Sequence, residues 1–251
     1  VKAKRRIEII AEIGINHNGD MELAKEMIET AKAVGADVVK FQIYDPEMLL
    51  DKEVFTPDDW EAILASRLTR RQVLFLNQVC EREQIEFMAS VFDLERIKWT
   101  EEIRMKRYKI ASRSVFDEEL CLNIIGINKP VIVSDGILYT TVNPIPSYFI
   151  KSSNVRWLYC VAKYPARLAD IDFGMMKLSM YSGFSDHTIG TSAAKVAMSL
   201  GARIIEKHFT MDKTLPGPDH ICSADPEELL EICRFRDDCE EILYKTEGQV
   251  D

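Results

Sequence analysis

The chain has 251 residues, with Lys+Arg 32 against Asp+Glu 41 and a formal net charge of −9. That balance excludes the broad basic face that nucleic-acid and membrane-surface binders need, but leaves room for a few clustered lysines around a small anion. A hydrophobic content of 47% with 29% charged residues excludes disorder, collagen and coiled coil, and the length suits one barrel domain.

Six cysteines (Cys80, Cys121, Cys160, Cys222, Cys233, Cys239) form no CxxC pair, and Cys121 and Cys160 lie in apolar runs. Reduced, mostly buried thiols in a cytoplasmic protein are the expectation. No apolar run approaches the length of a membrane span, and VKAKRRIEII is too soon interrupted by Glu12 to be a signal peptide.

In chain order, short β-branched runs alternate with amphipathic stretches. Ile7–Ile13 reads as a strand ending in the loop GINHNGD, followed by a helix over Met21–Val34. Ala36–Gln42 is the second strand, and Asp58–Glu83 holds one helix or two. Glu86–Ser90 is the third, with a helix from about Asp93; Arg107–Ser112 is the fourth, with a helix near Asp117–Ile125. Pro130–Ser134 is the fifth, and the helix after it is poor because Pro144 and Pro146 interrupt it. Val155–Cys160, Tyr181–Ser185 and Ala202–Glu206 complete the eight, with a helix over Thr191–Leu200 and a last one opening at Asp225-Pro226. Eight strand–helix units without a linker predict a single-domain (β/α)₈ TIM barrel over residues 1–251. The alternative, an open doubly wound sheet, lacks a GxGxxG after its first strand.

In such a barrel the site lies at the C-terminal ends of the strands. Glu12, Lys40, Gln42, Ser90, Lys109, Ser112, Ser134, Tyr164, Ser185, His187 and His208 fall at or just past those ends. Two lysines with several hydroxyls are the donor set a phosphate or carboxylate requires. Each residue alone is readily a solvated loop position, whereas the convergence of the set is not. His187 and His208 follow adjacent strands, so either a divalent-metal site with oxygen from Asp186 or Glu12, or a pair of hydrogen-bonded structural histidines, fits the spacing. His17 in NHNG is either a ligand contact or turn chemistry. Leu215–His220 presents Asp219 and His220 on a loop stiffened by Pro and Gly, a carboxylate suited to sugar hydroxyls or a plain turn.

The segments IIAEIGINHNGD, GADVVKFQ, YKIAS, FSDHTIGTS and IIEKHFTMDKTLPGPDH, in this order and spacing from about Ile9 to Leu230, resemble the sialic acid synthase family of bacterial nonulosonate pathways. The resemblance implies a barrel that condenses phosphoenolpyruvate with an N-acetylhexosamine-type aldehyde sugar, with a divalent metal, Mn²⁺ or Mg²⁺, and releases phosphate. By the same resemblance His187 and His208 hold the metal and Glu12 is the candidate general base. Lys40, Ser90, Lys109, Ser112, Ser134 and Ser185 hold phosphoenolpyruvate, and Gln42, Tyr164 and Asp219 meet the sugar. The runners-up are a related phosphoenolpyruvate-condensing synthase acting on a phosphorylated or anionic aldose, and a non-catalytic sugar or phosphoenolpyruvate binder.

Three stretches depart from the family pattern: Ser112-Arg113-Ser114 lacks an acidic residue, Ala162 replaces an amide or hydroxyl before Tyr164-Pro165, and the fifth strand ends Ser134-Asp135-Gly136. These changes point to an altered acceptor, more anionic or without the usual acetamido group, read by Arg113 or Lys163. The family's C-terminal antifreeze-like domain has no counterpart before Asp251, so any homodimer is expected to form without the family's arm exchange.

Overall fold

The computed structural model describes residues 7–136 and 145–243. Eight strands, β1 (Glu8–Gly14), β2 (Val38–Ile43), β3 (Glu86–Val91), β4 (Tyr108–Ile110), β5 (Val131–Asp135), β6 (Val155–Cys160), β7 (Tyr181–Asp186) and β8 (Ile204–His208), pair in sequence order, all parallel. β8 closes on β1, giving the (β/α)₈ barrel that the strand–helix alternation predicts. Around it lie α1 (Met21–Val34), α2 (Pro46–Leu49), α3 (Pro57–Ala65), α4 (Arg70–Glu83), α5 (Leu94–Glu102), α6 (Glu118–Gly126), α7 (Ser147–Ile150), α8 (Ser192–Ser199) and α9 (Pro226–Leu243).

Local chemistry sets these bounds. Asp20 accepts from the Glu22 and Leu23 amides to start α1, and Gly35 ends it in the left-handed region at φ 103°. The stretch over Asp58–Glu83 is two helices, because Thr69 and Gln72 form a capping box that starts α4 afresh. β4 is shorter than its sequence suggests: the chain turns into a 3₁₀ segment at Ser112–Ser114, so Ser112 is not a strand residue. β8 lies two residues later than the Ala202–Glu206 expectation, which makes His208 its last residue. After β5 the described residues form the single turn of α7, with Pro146 at its cap; Pro144 lies outside the described residues.

Inside the barrel, alternate strand residues stack in layers. Ile10, Val38, Met88, Ile132, Leu158 and Ile204 form a closed apolar plug. Burying each such side chain stabilises the fold by about 1.5–3 kcal/mol. At Gly183 a Cβ would stand 1.9 Å from the Ile204 carbonyl oxygen, so only glycine lets β7 approach β8 at this level. The next inward positions on the same strands, toward their C-terminal ends, are polar. The outward faces pack against the helices in one large core that includes Ile9, Phe41, Phe87 and Phe184.

All six cysteines are free and buried. Among the described residues no helix is long and apolar enough to cross a membrane.

The last helix is fastened to the first strands by one buried cation. Arg236, 0% exposed, lies 2.9 Å from Asp37 Oδ2 and donates to the Gly35 carbonyl at 3.2 Å, while Asp37 Oδ2 also accepts from the Ile9 amide at 2.9 Å. Arg236→Met removes the guanidinium that joins Asp37 to the Gly35 carbonyl, which costs on the order of 1–3 kcal/mol because Asp37 is partly exposed. The urea midpoint is expected to fall accordingly, and an unchanged midpoint would show that this cation does not hold α9.

Candidate active site

One step above the plug, every strand contributes a side chain to a ring: Glu12, Lys40, Ser90, Lys109, Ser134, Cys160, Ser185 and Glu206. Lys40 Nζ stands 2.7 Å from Glu12 Oε2 and 3.6 Å from Glu206 Oε2, and donates to Ser90 Oγ at 3.1 Å. Lys109 Nζ stands 3.4 Å from Glu206 Oε1 and donates to Ser134 Oγ at 2.7 Å. Ser185 Oγ donates to Glu206 Oε1 at 2.8 Å, and Gln42 Nε2 to Glu12 Oε1 at 3.2 Å. Ser112, though past its strand, joins the ring's upper edge and accepts from the Gly136 amide at 2.9 Å.

All four charged members are buried, so desolvation and pairing compete at each. Burial pushes the Glu12 carboxyl up, against the pull of Lys40. Burial would also raise Glu206, but Lys109 and Lys40 together hold it down at about 2. Lys40, between two carboxylates, is raised despite its burial. Lys109 is lowered by burial, which its single carboxylate partner does not fully offset. The floor thus holds one firmly ionised carboxylate, one carboxylate closer to neutrality and two ammonium donors.

The two histidines stand above this floor with ring centroids 5.7 Å apart. His187 Nδ1 lies 2.8 Å from the Val161 carbonyl, which can only accept, so the proton sits on Nδ1 and Nε2 presents its lone pair beside the Ser185 hydroxyl, 3.5 Å away. Burial, followed by the neighbouring His208, drives His187 down to about 3, and burial lowers His208 as well. Both imidazoles are therefore neutral, the form that ligates metals. His208 Nδ1 is buried with no hydrogen-bond partner, its nearest carboxylate oxygen being Asp219 Oδ2 at 3.9 Å. An oriented lone pair beside an orphaned imidazole nitrogen fits a divalent cation. Among the described residues no three His, Cys, Asp or Glu side chains form a ready metal cluster.

Outward from the ring the barrel opens into a mouth of about 620 Å³ that shares Gln42, Ser112 and Tyr164 with the floor. Tyr164 is half-exposed and lays its ring against His187, centroids 4.2 Å apart. Asp219 lines the same mouth, its carboxyl raised by burial. Arg113 reaches the mouth and donates to the Leu49 carbonyl at 3.3 Å. Much of the remaining wall is apolar, from Leu49, Leu50, Phe55, Ile63 and Phe92.

The structure thus brings together every residue that the strand-end reading and the family resemblance place at the site, and separates several others. Asp186 is not a metal oxygen donor: it alternates to the outer face of β7, where it pairs with Lys207 at 3.2 Å, both side chains fully buried. Lys163 is turned to Asp170, 3.1 Å away, and lines neither the floor nor the mouth. His17 serves the turn, accepting from the Gly19 amide, and His220 bonds Thr210 Oγ1 at 2.7 Å. Asp135 points outward and accepts from Tyr181 at 2.7 Å.

Two ring members, Glu206 and Cys160, escape the sequence reading. The period-two alternation back from His208 would have found Glu206.

A barrel with two lysines, a set of serines, two carboxylates and two neutral imidazoles at its C-terminal end is built as an enzyme that handles a small anion. The family model described as the NeuB family matches residues 27–247. The N,N'-diacetyllegionaminic acid synthase of Legionella pneumophila is 34% identical over 258 residues, covering 94% of this chain and 72% of that one. The synthase of the same name from Campylobacter jejuni is also 34% identical, covering 90% of this chain and 74% of its own length. The crystal structure of N-acetylneuraminic acid (sialic acid) synthetase from Leptospira borgpetersenii superposes with a TM-score of 0.82 at 31% identity, covering 98% of this chain and 87% of that one. The chain belongs to the NeuB family and is a transferase of the sialic acid synthase kind.

Burial holds the His17 imidazole down at about 4. The unfolded chain takes up that proton near pH 6.5 and the folded chain only near 4, so this group's contribution is full above pH 6.5 and is lost as pH falls through that window. Wild type minus His17→Asn stability is expected to fall by about 1.4 kcal/mol per pH unit at its steepest. Denaturant titrations between pH 7 and 4 measure it, and parallel curves for the two proteins would contradict it.

Proposed function

We propose that the chain condenses phosphoenolpyruvate with an aldehyde sugar to give a nonulosonic acid and phosphate, and that it does so with a divalent metal held by His187 and His208. The observation that carries this is the convergence of Lys40 and Lys109 with Ser90, Ser134, Ser112 and Ser185 on one floor beside two neutral imidazoles.

The two ammonium groups and the hydroxyls bind the phosphate and carboxylate of phosphoenolpyruvate and aim its C3 outward to the mouth. When bound, a Mn²⁺ or Mg²⁺ ion would act as a Lewis acid on the sugar's aldehyde oxygen. Tyr164, Gln42 and Asp219 hold the sugar so that its carbonyl carbon faces C3, and much of the acceleration is this positioning. C3 bonds to the aldehyde carbon, whose oxygen takes a proton, while positive charge develops at C2. Water adds to C2 and gives its proton to Glu12, whose raised pKa suits a group that both accepts and returns protons. The C2–O bond to phosphorus then breaks as the new C2 hydroxyl loses its proton and becomes the ketone, and phosphate leaves with the bridging oxygen; the water's two protons end on the former aldehyde oxygen and on phosphate.

The apolar wall of the mouth supports an acceptor that carries acyl methyl groups, and the products named for two relatives are diacetylated. Arg113, the one cation lining that mouth among the described residues, supports a second reading, an acceptor with an anionic group.

Phosphate release is expected only with phosphoenolpyruvate and sugar together, with ¹⁸O from the bridging position recovered in the phosphate. Lys109→Met and Glu206→Gln should each lower kcat/KM about 10²-fold, as losing one preorganised donor or its anchor does. Chelation should stop turnover and Mn²⁺ restore it, whereas full activity in His187→Ala would remove the metal site. Among acceptors, a hexose with two acetamido groups is expected to exceed N-acetylmannosamine in kcat/KM. Preference for a phosphorylated hexosamine, lost in Arg113→Ala, would establish the second reading instead.

A further inference from the structure

A cavity of about 960 Å³ opens at the other end of the barrel, larger than either the floor or the mouth of the catalytic end. It lies beneath the apolar plug, at the N-terminal ends of the strands, where residues ordinarily serve stability. Its charged lining is Glu8, Glu86, Lys106, Arg107, Arg156 and Arg203. The two carboxylates are both taken by Arg107: its Nη1 and Nη2 bond Glu8 at 2.9 and 2.7 Å, and its Nε bonds Glu86 at 2.6 Å. That triad stitches β4 to β1 and β3, and is a sufficient structural reason for Arg107.

It gives no reason for Arg156. Arg156 sits two residues before Leu158 on β6, so it takes the inward position just below the plug, where an apolar residue would pack. Among the described residues neither Arg156 nor Lys106 forms an ion pair. Arg156 and Lys106 thus face a cavity whose acids are already engaged by Arg107, in a chain whose overall charge is −9, and Arg203 lies on the same rim. Guanidinium groups meet planar and tetrahedral oxyanions through paired N–H donors, in a cavity wide enough for a small organic ligand.

We propose that this cavity is a second binding site, for a small, multiply charged phosphate-bearing anion, with Arg156 as its central donor. It is distinct from the catalytic floor. Glu8 and Glu12 are four residues apart on β1, about 13 Å, with the plug between them. Arg107 directly precedes β4 and lies two residues before Lys109, so an anion that competes for Arg107 pulls on the strand that carries a catalytic lysine.

The test is a calorimetric titration of inorganic pyrophosphate into the whole chain saturated with phosphoenolpyruvate, in metal-free buffer so that pyrophosphate chelates nothing. One pyrophosphate per chain is expected to bind, at least tenfold more weakly in Arg156→Glu and to an intermediate degree in Arg156→Gln. Phosphoenolpyruvate affinity and the melting temperature should stay at wild-type values, since Arg156 is exposed and far from the floor. Equal pyrophosphate affinity in wild type and Arg156→Glu would overturn the proposal, as would binding that vanishes once phosphoenolpyruvate fills the catalytic end.

Discussion

Four charges stand in contact on a barrel floor that water barely reaches: Lys40 between Glu12 and Glu206, and Lys109 against Glu206. Their formal sum is zero, which is why burial is tolerable at all. Stability does not explain them, because well-packed apolar residues in place of a buried ion-pair network are often neutral or stabilising. What the network supplies is direction. Glu206 draws both ammonium groups and the Ser185 hydroxyl toward one point, so donors are aimed before any substrate arrives and need not reorganise when charge develops. The apolar plug beneath supports this arrangement, since it keeps solvent from entering from below.

Much of this floor was legible in the sequence because a strand alternates with period two and a barrel puts its chemistry at one end of every strand. Lys40, Ser90, Lys109, Ser134 and Ser185 needed only approximate strand ends to be recognised. Glu206 needed the register. Glu206 is passed over although the expected strand Ala202–Glu206 ends on it; the strand runs to His208, and alternation back from His208 puts both side chains inside the barrel. Asp186 shows the converse error: adjacency to His187 in sequence suggests partnership, but neighbouring strand residues face opposite sides of the sheet. Cys160 reads as one more apolar residue of VRWLYC, and nothing in its type marks the inward position it holds.

The mouth was less legible than the floor for a physical reason. Its wall combines β2, the loop after it, the short helices α2 and α3 and the turns after β3, β4 and β6, segments far apart in sequence. Leu49, Leu50, Phe55 and Phe92 look like ordinary core residues in a one-dimensional reading. Only the closed barrel shows that they line an opening above the catalytic ring. Arg113 was recognisable as unusual because it interrupts a motif, yet only the fold separates it from Lys163, which faces Asp170 instead.

The placement of His187 is a problem that the barrel ladder alone does not solve. The β7–β8 ladder ends at Asp186 opposite Lys207, so His187 lies one residue beyond the last strand pair. The outward side chains of that final pair take over where the ladder stops. Asp186 Oδ1 accepts from both the amide and the hydroxyl of Thr188 at 2.8 Å, and Lys207 Nζ donates to the Thr188 carbonyl. The Ala166 amide bonds the His187 carbonyl at 2.9 Å, and the Val161 carbonyl fixes the ring. Residues 186–188 are therefore held on both sides, and the imidazole keeps its distance from His208 through a buried ion pair on the opposite face of the sheet. The SDHT and EKH segments are linked for this reason: each histidine is immediately preceded by one half of the clamp.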